Sequence, residues 1–343
     1  MKKIFGVVAV VFLVVSSLSF SSLIHAKDAI SLLMISDQGG IDDKSYNQSA
    51  WEGVQAYGQE HGLDKGMNGY DYIHAQQDSE YISSLMQGIN ANFDLIVGLG
   101  FKLLAPFEEV AQQFPDHHFV IIDEESDLDN IASLNFKDNE AAFLAGVAAA
   151  STTKTKKVGF IGGMESFTID RFRAGFEEGV KAVDPTIQIM VEHVGSFADP
   201  SRAKQQAAVM YSSGVDVIYQ AAGNSGNGVF SEAKDIVQNS PDENIWVIGV
   251  DKDQHDEGIV EADGKTRSVT LTSTLKEVGN TLHQFANEVN EKGFTSDNRI
   301  YGLKEGGVNL TKGQLTKEVE ELIETYRQKI IDGEINVPDT PQR

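Results

Sequence analysis

The chain predicts an α/β protein of parallel sheets covered by helices on both faces and divided into two domains, and three observations predict it. Short apolar, β-branched runs alternate with amphipathic helical stretches from Ile30 onward, the rhythm of strand–helix–strand units. Runs such as Val247–Val250 are apolar throughout, as strands buried on both faces are. The 343 residues suit two domains of ordinary size.

In chain order, Lys2 and Lys3 precede an apolar core from Ile4 to Val15, and Ile24-His25-Ala26 offers a cleavage site before Lys27-Asp28. Residues 1–26 are therefore expected to be a signal peptide, their core being shorter than the about 20 apolar residues that span a bilayer. Strands are expected at Ile30–Ser36, Tyr70–His74, Leu95–Gly98, Phe119–Ile122, Ile131–Asn135, Lys157–Ile161, Gln188–His193, Val215–Tyr219, Ile245–Gly249 and Ser268–Leu271. Helical patterns fall between them at Tyr46–Gly62, Glu80–Ala91, Leu103–Phe114, Asn139–Ala150, Thr168–Val183 and Ser201–Ser212. Several strands end in polar or glycine residues: Ser36-Asp37, Gly98-Leu99-Gly100, Asp123, Gly162-Gly163, Gln220–Gly226 and Val250-Asp251. Any one of these is accounted for as a turn. Together they mark a site, because ligands of open α/β sheets sit beyond the carboxyl ends of strands.

A formal net charge of −23 repels phosphates, which argues against nucleic acid as a partner and favours a soluble monomer. The sequence has no cysteine, so it has no disulfide, thiolate nucleophile or thiolate-bound zinc. The acidic runs Asp123–Asp129 and Asp251–Asp256 do not fit calcium-loop spacing, and no His-Glu-x-x-His, Walker or dinucleotide pattern occurs. No metal, cofactor or catalytic residue is expected.

The segment Asp37–Gln48 follows the first strand and opens a helix. Its glycines allow a sharp turn, and Asp43 or Ser45 can cap the helix. Asp37 can accept two hydroxyl hydrogen bonds, as a sugar diol would require, and Tyr46 offers a flat face to a base, although capping plus a core tyrosine accounts for the same residues. This segment, continued through Ser49-Ala50-Trp51-Glu52-Gly53, resembles the opening motif of the bacterial basic-membrane-protein family, substrate-binding proteins of ABC transporters that include purine nucleoside receptors. Further similar stretches follow in order: Leu95–Phe101, Phe119–Asp123, Ala132–Gly146, Val158–Gly163, Phe172–Gly179, Gly195–Pro200, Asp216–Phe230, Ile248–Lys252 and Thr272–Lys276.

The resemblance implies two Rossmann-like lobes of type I periplasmic-binding-protein architecture, a hinged cleft holding a nucleoside, and a membrane permease as partner. It casts Asp37 and Asp251 as carboxylates for the ribose hydroxyls and Lys276 as the cation that supports them. Tyr46 and Phe197 would stack on the base, Asn47 and Asp123 would face the ligand, and Gly226 would allow close backbone approach. Two features depart from the family pattern. No cysteine is present for a lipid tether, so an exported periplasmic or cell-surface protein is expected, and Tyr46 stands where phenylalanine is more usual. The expected first lobe is residues 27–137 with 252–293, and the second is 138–251 with 294–343. A ligand-sensing receptor of the same fold, and a metal-dependent nucleoside hydrolase built on Asp42-Asp43 with Asp251 and Asp253, are the alternatives.

Overall fold

The computed structural model describes residues 29–341; the expected signal peptide lies outside the described residues. The chain opens with β1 (Leu32–Ser36), α1 (Tyr46–Glu60), β2 (Tyr70–His74), α2 (Tyr81–Asn90), β3 (Leu95–Leu99), α3 (Leu104–Gln113), β4 (His118–Ile122) and β5 (Ile131–Phe136). It repeats the pattern with α4 (Asp138–Thr152), β6 (Lys157–Gly162), α5 (Phe167–Val183), β7 (Gln188–His193), α6 (Pro200–Ser212), β8 (Val217–Ala221), α7 (Asn227–Asn239) and β9 (Trp246–Gly249). A hairpin of β10 (Ile259–Ala262) and β11 (Lys265–Ser268) leads to β12 (Thr270–Lys276), and α8 (Val278–Lys292), β13 (Asn298–Tyr301), β14 (Val308–Leu310) and α9 (Lys317–Ile331) complete it.

Two six-stranded sheets result, ordered β13-β5-β4-β3-β1-β2 and β14-β12-β9-β8-β6-β7. Every neighbouring pair in both is parallel except β12 with β14. The fold is therefore the expected one, two α/β lobes with parallel sheets, and the matching strand orders make the lobes topological counterparts. β4 and β9 occupy equivalent places, as do β3 and β8.

Sheet membership differs from the expected division of the chain. Segment 252–293 splits, because β12 pairs with β9 of the second sheet while α8 returns to pack on α1 of the first. The tail from 294 splits as well, since β13 pairs with β5. The expected strand at Ser268–Leu271 runs from Thr270 to Lys276, which places Lys276 at a strand end. The chain thus crosses between lobes at Lys137, at Glu277 and between Tyr301 and Val308. These crossings are tied side by side: Lys137 N donates to Tyr301 O at 2.9 Å, and Glu277 N to Gly307 O at 2.9 Å.

Glycines set how closely helices approach. A Cβ on Gly179 of α5 would lie 2.0 Å from the Phe143 carbonyl oxygen of α4, and one on Gly175 2.1 Å from that of Asn139. Backbone cannot yield as a flexible side chain does, so Gly179→Ala is expected to lower stability by about 1–3 kcal/mol through overpacking. This outweighs the roughly 1 kcal/mol that alanine gains over glycine in a helix. A urea midpoint that falls with an unchanged m-value checks it.

Candidate functional site

The carboxyl ends of both sheets face one cleft between the lobes, the kind of interdomain crevice where small-molecule sites occur. Asp37, Tyr46, Asn47 and Asp123 line it from the first lobe, and Phe197 and Asp251 from the second, with Lys276 at the base. Seven of the expected site residues therefore share one cavity.

The two aspartates that end equivalent strands adopt the same backbone conformation. Asp123 follows β4 with φ 69° and Asp251 follows β9 with φ 64°, the left-handed region that aspartate tolerates better than most residues. Their counterparts after β3 and β8 are Gly100 and Gly223, with φ 86° and 55°. The cleft is thus built from matching strand-end turns of two lobes.

The opening of α1 carries most of the first-lobe wall. Asp43 accepts from the backbone amides of Ser45 (2.9 Å), Asn47 (2.9 Å) and Gln48 (3.0 Å), so it satisfies donors that a helix start would leave bare. That frees the Ser45 hydroxyl, which donates across the cleft to Asp251. Asn47 turns its amide to neighbours: Nδ2 donates to Asp37 Oδ1 at 2.8 Å and to Asp43 Oδ2 at 2.9 Å, while Oδ1 accepts from Asp37 N at 3.3 Å. Asn47 borders the cavity, and its hydrogen-bonding groups hold two carboxylates in place. The Tyr46 hydroxyl lies 3.4 Å from the Ile122 carbonyl oxygen.

Further contacts join the lobes around the cleft. Lys252 Nζ lies 2.5 Å from Glu52 Oε2, Gln254 Nε2 donates to Lys44 O at 2.9 Å, and Asn227 Nδ2 donates to Asp43 O at 3.3 Å. The lobes are closed on each other.

At the base, Lys276 Nζ lies 2.6 Å from Asp123 Oδ2 and 3.1 Å from Asp138 Oδ1. Burial works to lower the ammonium's pKa, but Asp123, Asp138 and Asp251 outweigh it and the net shift is upward. Asp251 moves the other way from its usual acidity. Burial pushes its carboxyl up to about 7 against the opposing pull of Lys276 and the Ser45 hydroxyl. Burial likewise raises Asp37 and Asp43. For Tyr46, burial and then the charges of Asp123, Asp37 and Asp251 hold the phenol well above its ordinary value.

Gly226 is a correction. It is buried at the end of the 3-10 turn that leads into α7, where a Cβ would lie 2.0 Å from Gln220 Oε1, and Gly223 takes the cleft position at the start of the same turn. Phe197 stands on the second-lobe wall over Gly163, where a Cβ would meet its ring at 2.2 Å. Sequence reasoning also missed Lys102, Phe172 and the Ser166–Ile169 turn, which complete the walls. Phe172 lay within a family-like stretch but inside an amphipathic helix pattern, where an aromatic reads as core. Among the described residues, no group of histidines and acids is placed to hold a metal ion, and no helix is long and apolar enough to cross a membrane.

The family described as "ABC transporter substrate-binding protein PnrA-like" matches residues 30–341. The chain is 46% identical to the "CD4+ T-cell-stimulating antigen" of Listeria monocytogenes over 91% of this chain and 88% of that protein. It is 41% identical to the "ABC transporter nucleoside-binding protein BmpA" of Lactococcus lactis over 91% and 90% respectively. Among solved structures, an ABC transporter solute-binding protein from Aeropyrum pernix superposes with a TM-score of 0.78 at 27% identity, over 92% of this chain and 94% of that one. The family, the Lactococcus relative and the Aeropyrum structure are substrate-binding proteins rather than enzymes.

Proposed function

The chain belongs to the PnrA-like family of ABC transporter substrate-binding proteins, and from that premise we propose that its ligand is a nucleoside, with purines preferred. The family implies a small-molecule ligand and a transporter permease as partner. The nucleoside reading rests on the chemistry of the walls, and one observation carries it: aromatic faces and unneutralised carboxylates line the same closed cleft.

Asp37, Asp43, Asp123 and Asp251 line the cavity beside only two cations, and both are already engaged. Lys276 is held by Asp123 and Asp138, and Lys102 lies 3.0 Å from Asp78. An uncharged guest rich in hydroxyl donors suits such a wall, because buried carboxylates need donors or counter-charge. A ribose diol supplies those donors, with Asp251 accepting from both of its hydroxyls and Asp37 a further acceptor for the sugar. Tyr46 and Phe197, one from each lobe, offer flat faces to the base, and a bicyclic base covers more of them. The name of the Lactococcus relative points the same way. Export through a signal peptide, followed by residence in the periplasm or at the cell surface, is part of the proposal.

Calorimetry with inosine, guanosine, adenosine and uridine tests it; no heat from any of them at high micromolar concentration would overturn it. Tyr46→Ala is expected to weaken binding by about 1–3 kcal/mol, the usual worth of an aromatic–base stack. Tyr46→Phe, which keeps the ring and loses only a long hydroxyl contact, is expected to change affinity by less than about 1 kcal/mol. Equal losses in the two variants would remove stacking from the account.

A further inference from the structure

Asp138 borders neither the cleft nor solvent: it is 0% exposed and stands outside the cleft wall. It is the first residue of α4, just past one crossing between lobes, and Lys276 is the last residue of β12, just before another. Lys276 Nζ lies 3.1 Å from Asp138 Oδ1 and 3.3 Å from Oδ2, and the Arg171 guanidinium lies 3.8 Å from Oδ2. The ammonium sits among the rings of Phe136 (5.1 Å), Tyr46 (5.2 Å) and Phe172 (5.6 Å). Asp251, although it shares this neighbourhood, makes no ion pair among the described residues; its side-chain donor there is the Ser45 hydroxyl.

This distribution is not what charge alone dictates. A lysine stem is flexible, and Asp251 is a buried carboxylate within its electrostatic reach. Two acids on one side, Asp123 and Asp138, draw the ammonium away from the third. We propose that Asp138 is a positioning residue for ligand capture, anchoring Lys276 against Asp123 so that the Asp251 carboxylate stays unpaired and open to the ligand. Without the anchor, Lys276 turns toward Asp251 and forms an ion pair that an incoming hydroxyl has to displace. The proposal rests on the reading of the cleft as the ligand site and adds a residue outside it.

A double-mutant cycle tests the claim that Asp138 acts through Lys276. Asp138→Asn is expected to weaken nucleoside binding at pH 8 by about tenfold, the order of one charge-assisted contact. In a Lys276→Gln background the same substitution is expected to change affinity less than twofold. The full tenfold loss in that background would overturn the proposal.

A second readout needs no ligand. The charged groups facing Asp138 are Lys276, Asp123 and Arg171, and those acting on Asp251 are Lys276, Asp138 and Asp43. Removing the Asp138 charge and bringing Lys276 closer both favour ionised Asp251. Carbon-detected NMR titration of the ligand-free protein should therefore show Asp251 titrating at lower pH in Asp138→Asn than in wild type. In a Lys276→Gln background only the direct loss of the Asp138 charge remains, so the shift there should be clearly smaller; an equal shift in both backgrounds would sink the idea. Failure of the wild type to bind any nucleoside would count against the proposed function, whereas the ligand-free titration would still decide the role of Asp138. Should Asp138→Asn not fold, the cycle is run with Asp138→Glu, which keeps the charge but displaces it, and must again be non-additive.

Discussion

Asp251→Ala is expected to lower nucleoside affinity by about 3 kcal/mol or more, beyond a hundredfold. Two hydroxyls donating to one carboxylate make two charge-assisted bonds, each worth about 1.5–3 kcal/mol. The substitution also leaves the ligand's donors without acceptors in a closed cleft, and such loss costs more than the bond's net worth. Stability should behave differently from affinity. Asp251 is 8% exposed, has no ion pair among the described residues and is raised to about 7 by its burial, so it is a strained group retained for binding. The melting temperature of ligand-free Asp251→Asn at pH 8, in which asparagine keeps the left-handed backbone at ease, is expected to equal or exceed that of wild type, as stability–activity trade-offs predict. Calorimetry paired with thermal melts checks both halves; unchanged affinity would remove Asp251 from the site.

The second large effect is a pH dependence in which binding and stability run in opposite directions. Burial raises the Asp251 carboxyl from its ordinary value of 3.8 to about 7 in the folded protein. Between these limits the folded state holds a proton that the unfolded chain has released. Its contribution to stability is therefore fully present below about pH 4 and lost as pH rises through 7. The buried Asp138, raised to about 6 by burial, adds to the same slope over a narrower window. Affinity follows the ionised form, which accepts both ligand hydroxyls. It should fall by up to about tenfold for each pH unit below 7, and binding near pH 6.5 should release protons. Calorimetry at that pH in two buffers of different ionisation enthalpy measures the release directly. Proton uptake, or none, would contradict the assignment of Asp251 as an ionised acceptor. Comparing melts of wild type and Asp251→Asn isolates this group, and the difference should narrow as pH falls toward 5.

Strands buried on both faces and bounded by polar turns were legible, and β1 through β9 stand within a few residues of their expected places. The strand-end aspartates were legible for the same reason. Ile121-Ile122-Asp123 and Gly249-Val250-Asp251 each close an apolar run, and the structure shows them as counterparts in two like sheets. Sheet membership was not legible, because nothing local distinguishes a strand that stays in its lobe from one that crosses. β13 is four residues long and alternates exposed with half-buried positions, so its pairing with β5 depends wholly on tertiary context. Asp138 escaped notice because an acid in a helix's first turn reads as dipole compensation, and only the crossing chain brings Lys276 to it. Asn47 was assigned to the ligand by family likeness. Its amide was placed by the folded turn, which brings Asp37 and Asp43 within its reach.

Crystallisation with a bound purine nucleoside probes the binding claim most directly. The ribose diol should lie within hydrogen-bond distance of the Asp251 carboxylate, with the base against the Tyr46 ring and both lobes in contact with the guest. A nucleoside found outside the cleft, or seated there with its sugar away from Asp251 and its base off Tyr46, would contradict the account.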